Sequence, residues 1–421
     1  MSVPNGLLRL ENVTVPASVL GQEGDLIRTD LSLANGRIVA SGGQCVDMGG
    51  KLVLPCFVDM HTHLDKGHIS PRTPKPNGTF DGAIKATAAD RAAYWSAKDL
   101  RTRMDFALRC AYAHGTRAIR THLDSSPPQE DITWPVFREV RADWAGRIDL
   151  QAVCLDSPSS LAEAGSYART ANIAAQSGGA LGLVTFPAPN LQTHEQTLLQ
   201  IARDTGSDVD FHVDETLDPD AETLRLIAQT VLSTRFEHRV TVGHCCSLST
   251  QDPARAGDTL DLVAKAGLNV VSLPMCNLYL QDRHAARTPR YRGITLVHEM
   301  HARGINVSFA SDNTRDPFYA YGDLDMLEVL REATRIGHLD HADPAWVQSV
   351  LSNPAKACGF AMPSLDVGSP ADLIVFNARN WTELFARPQS DRIVLRGGKP
   401  IDRTLPEYSE LDGLYPDAPR A

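Results

Sequence analysis

Two histidines one residue apart, His61 and His63, close an apolar run, and four other apolar runs end in comparable residues. These are His122-Leu-Asp124, His212-Val-Asp-Glu215, His244 and Ser311-Asp312-Asn313. On a β-strand, residues i and i+2 point the same way, so His61 and His63 can aim two imidazoles at one ion. Neutral imidazole and carboxylate are good ligands for zinc and similar divalent metals. A set of His61, His63, His212 and Asp312 leaves room for a water, whose pKa the metal lowers to about 7.

A single HxH is weak, because a lone histidine more often belongs to the core or the surface. The joint pattern is what matters: histidines after three such runs and an aspartate after a fourth. Glu215, three residues past His212, suits a proton shuttle between the water and a ring nitrogen. It would also suit the first turn of a helix, favoured by the dipole. His244 can polarise the oxygen on the attacked carbon or hold the hydroxide. Asp312 can serve both as ligand and as proton acceptor. His194, His238, His284, His298, His301, His338 and His341 read as solvated. His68, in the segment after the first run, reads equally as a substrate contact or as mobile surface.

The elements that must position these side chains alternate. Strands are expected at 52–60, 117–122, 148–155, 180–186, 208–213, 239–244, 269–273 and 306–310, with helical patterns between them at 100–114, 159–177 and 193–204. Eight such units predict an α/β fold, a (β/α)8 barrel, whose strand ends share one face where active sites form. The Pro/Gly-rich run Ser70-Pro-Arg-Thr-Pro-Lys-Pro-Asn-Gly78 would lie over the barrel mouth. Residues 7–55 and 367–400 read as short strands with turns at Asn35-Gly36, Gly368 and Gly397-Gly398. The two chain ends are therefore expected to build one small β-sandwich domain, residues 1–55 plus 359–421, around a barrel of residues 56–358. From about Leu405 the chain reads as irregular.

Composition narrows the function classes. The 421 residues are 43% hydrophobic and 22% charged, with a formal net charge of −10. That balance suits a large core and lacks the basic face of a nucleic-acid binder. The first residues hold neither a basic stretch nor a long apolar run, so no secretory signal is expected, and no run reaches membrane-spanning length. Eight scattered cysteines without CxxC spacing read as reduced thiols of a cytoplasmic protein. Cys245-Cys246 reads as packing beside His244 rather than as a ligand pair.

Leu54-Pro-Cys-Phe-Val-Asp-Met-His-Thr-His-Leu-Asp-Lys66 resembles the first-strand signature of the amidohydrolase superfamily, and Gly368-Ser-Pro-Ala-Asp-Leu-Ile-Val-Phe376 its C-terminal signature. Arg120-Thr-His-Leu-Asp, His212-Val-Asp-Glu, Arg239-Val-Thr-Val-Gly-His, Asn277-Leu-Tyr-Leu-Gln-Asp-Arg, Arg292-Gly-Ile-Thr and Asp316-Pro-Phe-Tyr are similar to the cytosine deaminase branch. The resemblance implies one zinc or iron ion held by His61, His63, His212 and Asp312. It makes Glu215 the shuttle to a ring nitrogen, has His244 assist the hydroxide, and has Asp312 pass a proton to departing ammonia. It also implies a homo-oligomer. The sequence departs from that branch in two places. Ser157 stands where the branch has a substrate-reading Gln, and a hydroxyl cannot offer an amide's paired donor and acceptor. Asn313 stands where the branch has Asp, which is closer to the N-isopropylammelide hydrolase branch. Asp156, Ser157, Asn313, Phe318 and Lys66 are then expected to shape the ring pocket.

The function these features predict is hydrolytic deamination of cytosine or a related cyclic amidine, with ammonia released. Two readings compete with it: cleavage of a cyclic amide or N-alkylamino group on a triazine-like ring, and a silent binding or scaffold barrel. The last predicts eroded ligands, and all four are present. The HxE…PCxxC signature of deaminases acting on nucleosides and single strands is absent, so the expected partner is a small nitrogen heterocycle, with no nucleic acid and no membrane.

Overall fold

The computed structural model describes residues 8–73, 77–162, 166–341 and 343–415. Eight parallel strands form the central sheet: Phe57–Thr62, Thr116–Asp124, Asp149–Asp156, Ala180–Thr185, Val209–Val213, Val240–His244, Asn269–Ser272 and Asn306–Phe309. They are numbered here as barrel strands one to eight, and each pairs with its neighbour in chain order. Strands one and eight meet at their ends. Thr62 bridges Asp312, and the Asp312 amide donates to the His61 carbonyl at 2.9 Å. Asp59 reinforces that seam, its carboxylate accepting from the Ser311 amide (3.2 Å) and hydroxyl.

The period of two expected for strand one is realised. Val58 and Met60 are fully buried in clusters with Ala355 and with Ala357 and Cys358, on the helix Ser352–Cys358 that covers the barrel's outside. Asp59, His61 and His63 take the opposite, inward face. Burying side chains of that size stabilises by about 2 kcal/mol each, so a one-residue slip that swapped the faces would be strongly disfavoured. The main core cluster runs around the barrel from Phe57 through Trp134, Phe211 and Phe309 to Trp346.

The ends of the chain supply two four-stranded sheets. One is built from Leu8–Pro16, Leu26–Ala34, Arg37–Val39 and Gln44–Asp47; the other from Val53–Pro55, Leu373–Val375, Ile393–Arg396 and Lys399–Pro400. Leu8, Leu10, Leu33, Val53, Leu373 and Leu395 share one buried cluster between them. The sequence expectation is corrected at the junction. The run 52–60 is not one strand: Val53–Pro55 pairs antiparallel with Leu373–Val375, and the barrel strand begins only at Phe57.

One other expectation is corrected, that of an irregular chain from about Leu405. The helix expected over 159–177 is seen as Ser159–Ala162 and Ser166–Gln176, and 163–165 lie outside the described residues. The described residues of the Pro/Gly-rich run carry no helix or strand and lead into a helix, Phe80–Tyr94, capped by the Thr79 side chain accepting from the Gly82 amide; residues 74–76 lie outside the described residues. The stretch after Leu405 is not irregular throughout. Tyr408–Leu414 winds as a 3-10 helix, and Leu411 and Tyr415 pack on Phe106 and Cys110. Among the described residues no helix is long and apolar enough to cross a membrane, and all eight cysteines are free.

Candidate active site

At the C-terminal ends of strands one, five and eight, four side chains converge. The Nε2 of His212 lies 3.2 Å from His61 Nε2 and 3.3 Å from His63 Nε2. Asp312 Oδ1 stands 3.3 Å from His63 Nε2 and 3.6 Å from His61 Nε2. All four groups are buried. Burial, followed by the charges of neighbouring histidines and Lys66, holds His61, His63 and His212 far below the ordinary imidazole range, so each is neutral. Both Asp312 oxygens lack a hydrogen-bond donor.

Three neutral imidazoles presenting Nε2 to one point, with an unpartnered carboxylate beside them, form a donor set for a divalent cation rather than a hydrogen-bonded cluster. Nitrogen and oxygen donors suit zinc and iron(II) alike. Room for the His61 ring comes from Gly243 on strand six. A Cβ there would meet His61 Cε1 at 3.2 Å and the Phe211 carbonyl at 3.4 Å.

The strand ends are bent to aim these groups. Asp214, His244, Cys245 and Asp312 all have positive φ, at 45°, 66°, 52° and 63°. Non-glycine residues there cost roughly 1–2 kcal/mol each, so the surrounding structure must hold them. Asp214 shows how. Its carboxylate turns away from the centre to accept from Thr223 Oγ1 (2.7 Å) and the Leu224 amide (3.1 Å), capping the helix Thr223–Thr234. The next residue, Glu215, is thereby left facing the cavity. Because that helix starts only at Thr223, the helix-start reading of Glu215 is set aside.

Glu215 is held close to the convergent set. Burial, reinforced by the Asp312 charge, raises its carboxyl well above the usual range, while Lys66 and Asn277 pull the other way. His244 Nδ1 lies 3.5 Å from Glu215 Oε1. Burial lowers the His244 imidazole to about 3, so it too is neutral. Burial also pushes the Asp312 carboxyl up to about 7.

A cavity of about 400 Å³ opens above these groups. The five residues expected to shape the ring pocket all line it: Lys66, Asp156, Ser157, Asn313 and Phe318. Lys66 Nζ is paired with Asp124 Oδ1 at 2.8 Å and lies 5.4 Å over the Phe318 ring, and Arg91 Nη1 holds the other Asp124 oxygen at 2.6 Å. Asn313 donates to Asp316 at 2.7 Å. Ser157 Oγ is engaged with Ser159 Oγ at 2.6 Å, whereas Asp156 Oδ2 is buried without a partner.

Several residues were not singled out by sequence. Phe80, Ile84 and Arg91, on the helix Phe80–Tyr94, form one wall, and Leu155, Val184 and Phe186 contribute to another. Asn277, in the short helix after strand seven, contacts both Glu215 and His244. It lies within a motif that sequence comparison did mark, although only the fold reveals its contacts. His122, which the sequence does place among the run-end residues, is fully buried, its ring centroid 4.0 Å from that of His61, and it forms part of the same cluster. His68 is neither mobile surface nor a lining residue of the large cavity. It is 1% exposed and packs edge-on against Phe106. The histidines read as solvated are at least partly exposed, except that the side chain of His341 lies outside the described residues.

Comparison with known proteins places this geometry in context. A model described as the amidohydrolase family matches residues 155–402. Pterin deaminase of Rhizobium rhizogenes is 50% identical over 427 aligned residues, covering 98% of each chain. N-isopropylammelide isopropyl amidohydrolase of a Pseudomonas species is 24% identical, covering 79% of this chain and 81% of its own. Among solved structures, 5-methylcytosine deaminase of Klebsiella pneumoniae liganded with phosphonocytosine superposes with a TM-score of 0.79 at 26% identity, covering 95% of this chain and 99% of that one.

Proposed function

This chain belongs to the amidohydrolase family, and we propose from that premise that it is a metal-dependent hydrolytic deaminase of an aminopteridine, a pterin-like bicyclic ring. The observation that carries the reaction class is the position of Glu215 beside the convergent His61, His63, His212 and Asp312. Such a set, with a raised carboxyl next to it, suits proton transfer during hydrolysis of a carbon–nitrogen bond. A binding or scaffold barrel has no use for that pairing.

A divalent cation seated among His61, His63, His212 and Asp312 would supply a Lewis acid that makes a bound water acidic near neutral pH. The remaining chemistry belongs to the chain's own side chains. Glu215 takes a proton from the attacking water and returns it to the ring nitrogen beside the reacting carbon. His244 faces the oxygen that gains charge at that carbon. Asp312 accepts the second proton of the added water and passes it to the amino group as the carbon–nitrogen bond breaks. Water has then added its oxygen to the ring and the nitrogen leaves as ammonia.

The substrate proposal rests on whole-length similarity to a pterin deaminase and on the cavity. A cavity of about 400 Å³ whose lining includes Phe80, Phe318, Leu155 and Phe186 exceeds what a single six-membered ring needs. We therefore favour a pterin over the cytosine expected from sequence. The unpartnered Asp156 oxygen suits the N–H edge of such a ring and would take over the reading that Ser157, tied to Ser159, does not offer. We also place the boundaries of the barrel at 55/56 and 358/359.

The test is a ranking of kcat/KM across pterin, cytosine, adenine and an aminotriazine with metal-replete protein. Highest efficiency on pterin is expected. A preference for cytosine would remove the pteridine assignment, and release of an alkylamine in place of ammonia would replace the reaction.

A further inference from the structure

We infer that Asn277 is a positioning residue that keeps the single proton of His244 on Nε2, pointed at the reacting centre, and holds Glu215 beside it. The inference rests on the deaminase reading above and adds a group that neither the sequence motifs nor that reading assigned a role.

The geometry is specific. Asn277 is 1% exposed and sits on the helix Pro274–Leu280, just past strand seven. Its Nδ2 lies 3.1 Å from Glu215 Oε1 and 3.0 Å from His244 Nδ1. An amide nitrogen only donates, and its two N–H groups match these two acceptors. His244 Nδ1 must then present its lone pair, which leaves the one N–H of the neutral imidazole on Nε2. That atom is buried and has no hydrogen-bond partner among the described residues. It is thus a free donor, set at a fixed angle by the bond made on the far side of the ring.

The alternative arrangement would turn the amide over. The Asn277 carbonyl would accept from a His244 Nδ1–H, Glu215 would have to supply its own proton to that carbonyl, and Nε2 would carry a lone pair. An acceptor at Nε2 could not stabilise an oxygen gaining negative charge, so the choice of tautomer decides whether His244 helps or hinders.

Two measurements test this separately from the substrate assignment. In a joint X-ray and neutron structure of the zinc-loaded protein in heavy water, a deuteron is expected on His244 Nε2 and none on Nδ1; a deuteron on Nδ1 overturns the inference. This result stands whether or not the protein deaminates any ring tested. The second compares Asn277→Asp with Asn277→Ala on a substrate the parent turns over, in preparations with parent-like metal content. Asp is nearly the size of Asn but accepts from Nδ1–H and repels Glu215. The expected order of kcat is parent, then Ala, then Asp, with Asp lower by about 100-fold and KM little changed. Space-filling alone gives the reverse, with Asp near the parent and Ala worst, and that order overturns the inference.

Discussion

Asp312 Oδ1 lies 3.3 Å from His63 Nε2, and neither Asp312 oxygen has a nitrogen or hydroxyl donor among the described residues. A buried carboxylate in that position is costly unless a cation compensates it. His212→Ala or Asp312→Ala should therefore lower the bound metal per chain, measured by elemental analysis. It should also abolish the difference in thermal unfolding between metal-loaded and chelator-treated protein. In the parent, free metal at about 1,000 times Kd should stabilise the fold by about 4 kcal/mol.

Glu215→Gln keeps shape and burial but removes the proton carrier. Turnover should fall by about 10²- to 10⁴-fold, while metal content and unfolding midpoint stay at parental values. A silent barrel would show no change in ligand affinity and no turnover to lose.

Asp156 Oδ1 accepts from Ser126 Oγ and the Ser157 amide, both at 2.8 Å, and Oδ2 is the oxygen proposed to read the ring. Asp156→Asn should weaken kcat/KM on the preferred ring by about 2 kcal/mol, the usual value of a hydrogen bond to a charged group. The loss should fall mainly in KM. Rings lacking the matching N–H should be little affected, and steady-state kinetics on paired analogues would register the difference.

Glu195 lies on the helix Leu191–Thr205, where burial pushes its carboxyl up to about 8 against the pull of Thr230 Oγ1, which donates to it at 3.0 Å. In the unfolded chain the group ionises near its ordinary 4.5. Between those values the folded state holds more protons than the unfolded one, so stability falls as pH rises. This contribution is complete below the unfolded value and lost as pH passes through about 8. Glu195→Gln should flatten this slope, measured as denaturation midpoints from mildly acidic to mildly alkaline buffer.

Much of the barrel was legible because eight apolar runs alternate with helical patterns and five of them end in histidines or carboxylates of ligand type. His61 and His63 could be paired from spacing alone, since i and i+2 share a strand face. The run 52–60 misled for a physical reason. It is apolar without a break from Leu52 to Val58, and nothing local at Cys56 shows that Leu54 pairs with Ile374 while Val58 pairs with Ala118. The pairing is a tertiary fact. Asn277 was out of reach for the same reason, because its partners Glu215 and His244 come from strands five and six. The helix Phe80–Tyr94 carried a readable cap in Thr79 but follows the Pro/Gly-rich run Ser70–Gly78 and was not singled out. His68 was misjudged because a polar residue in an apparent lid gives no sign that Tyr415, from the far end of the chain, donates to its carbonyl at 2.6 Å.

The most direct test is turnover of a pterin in ¹⁸O-labelled water by metal-loaded and metal-stripped protein, followed by mass spectrometry and ammonia assay. The expected result is one ¹⁸O in the ring product and one ammonia per turnover, only when metal is loaded. Product without the label, or equal turnover by stripped protein, would contradict metal-dependent hydrolytic deamination.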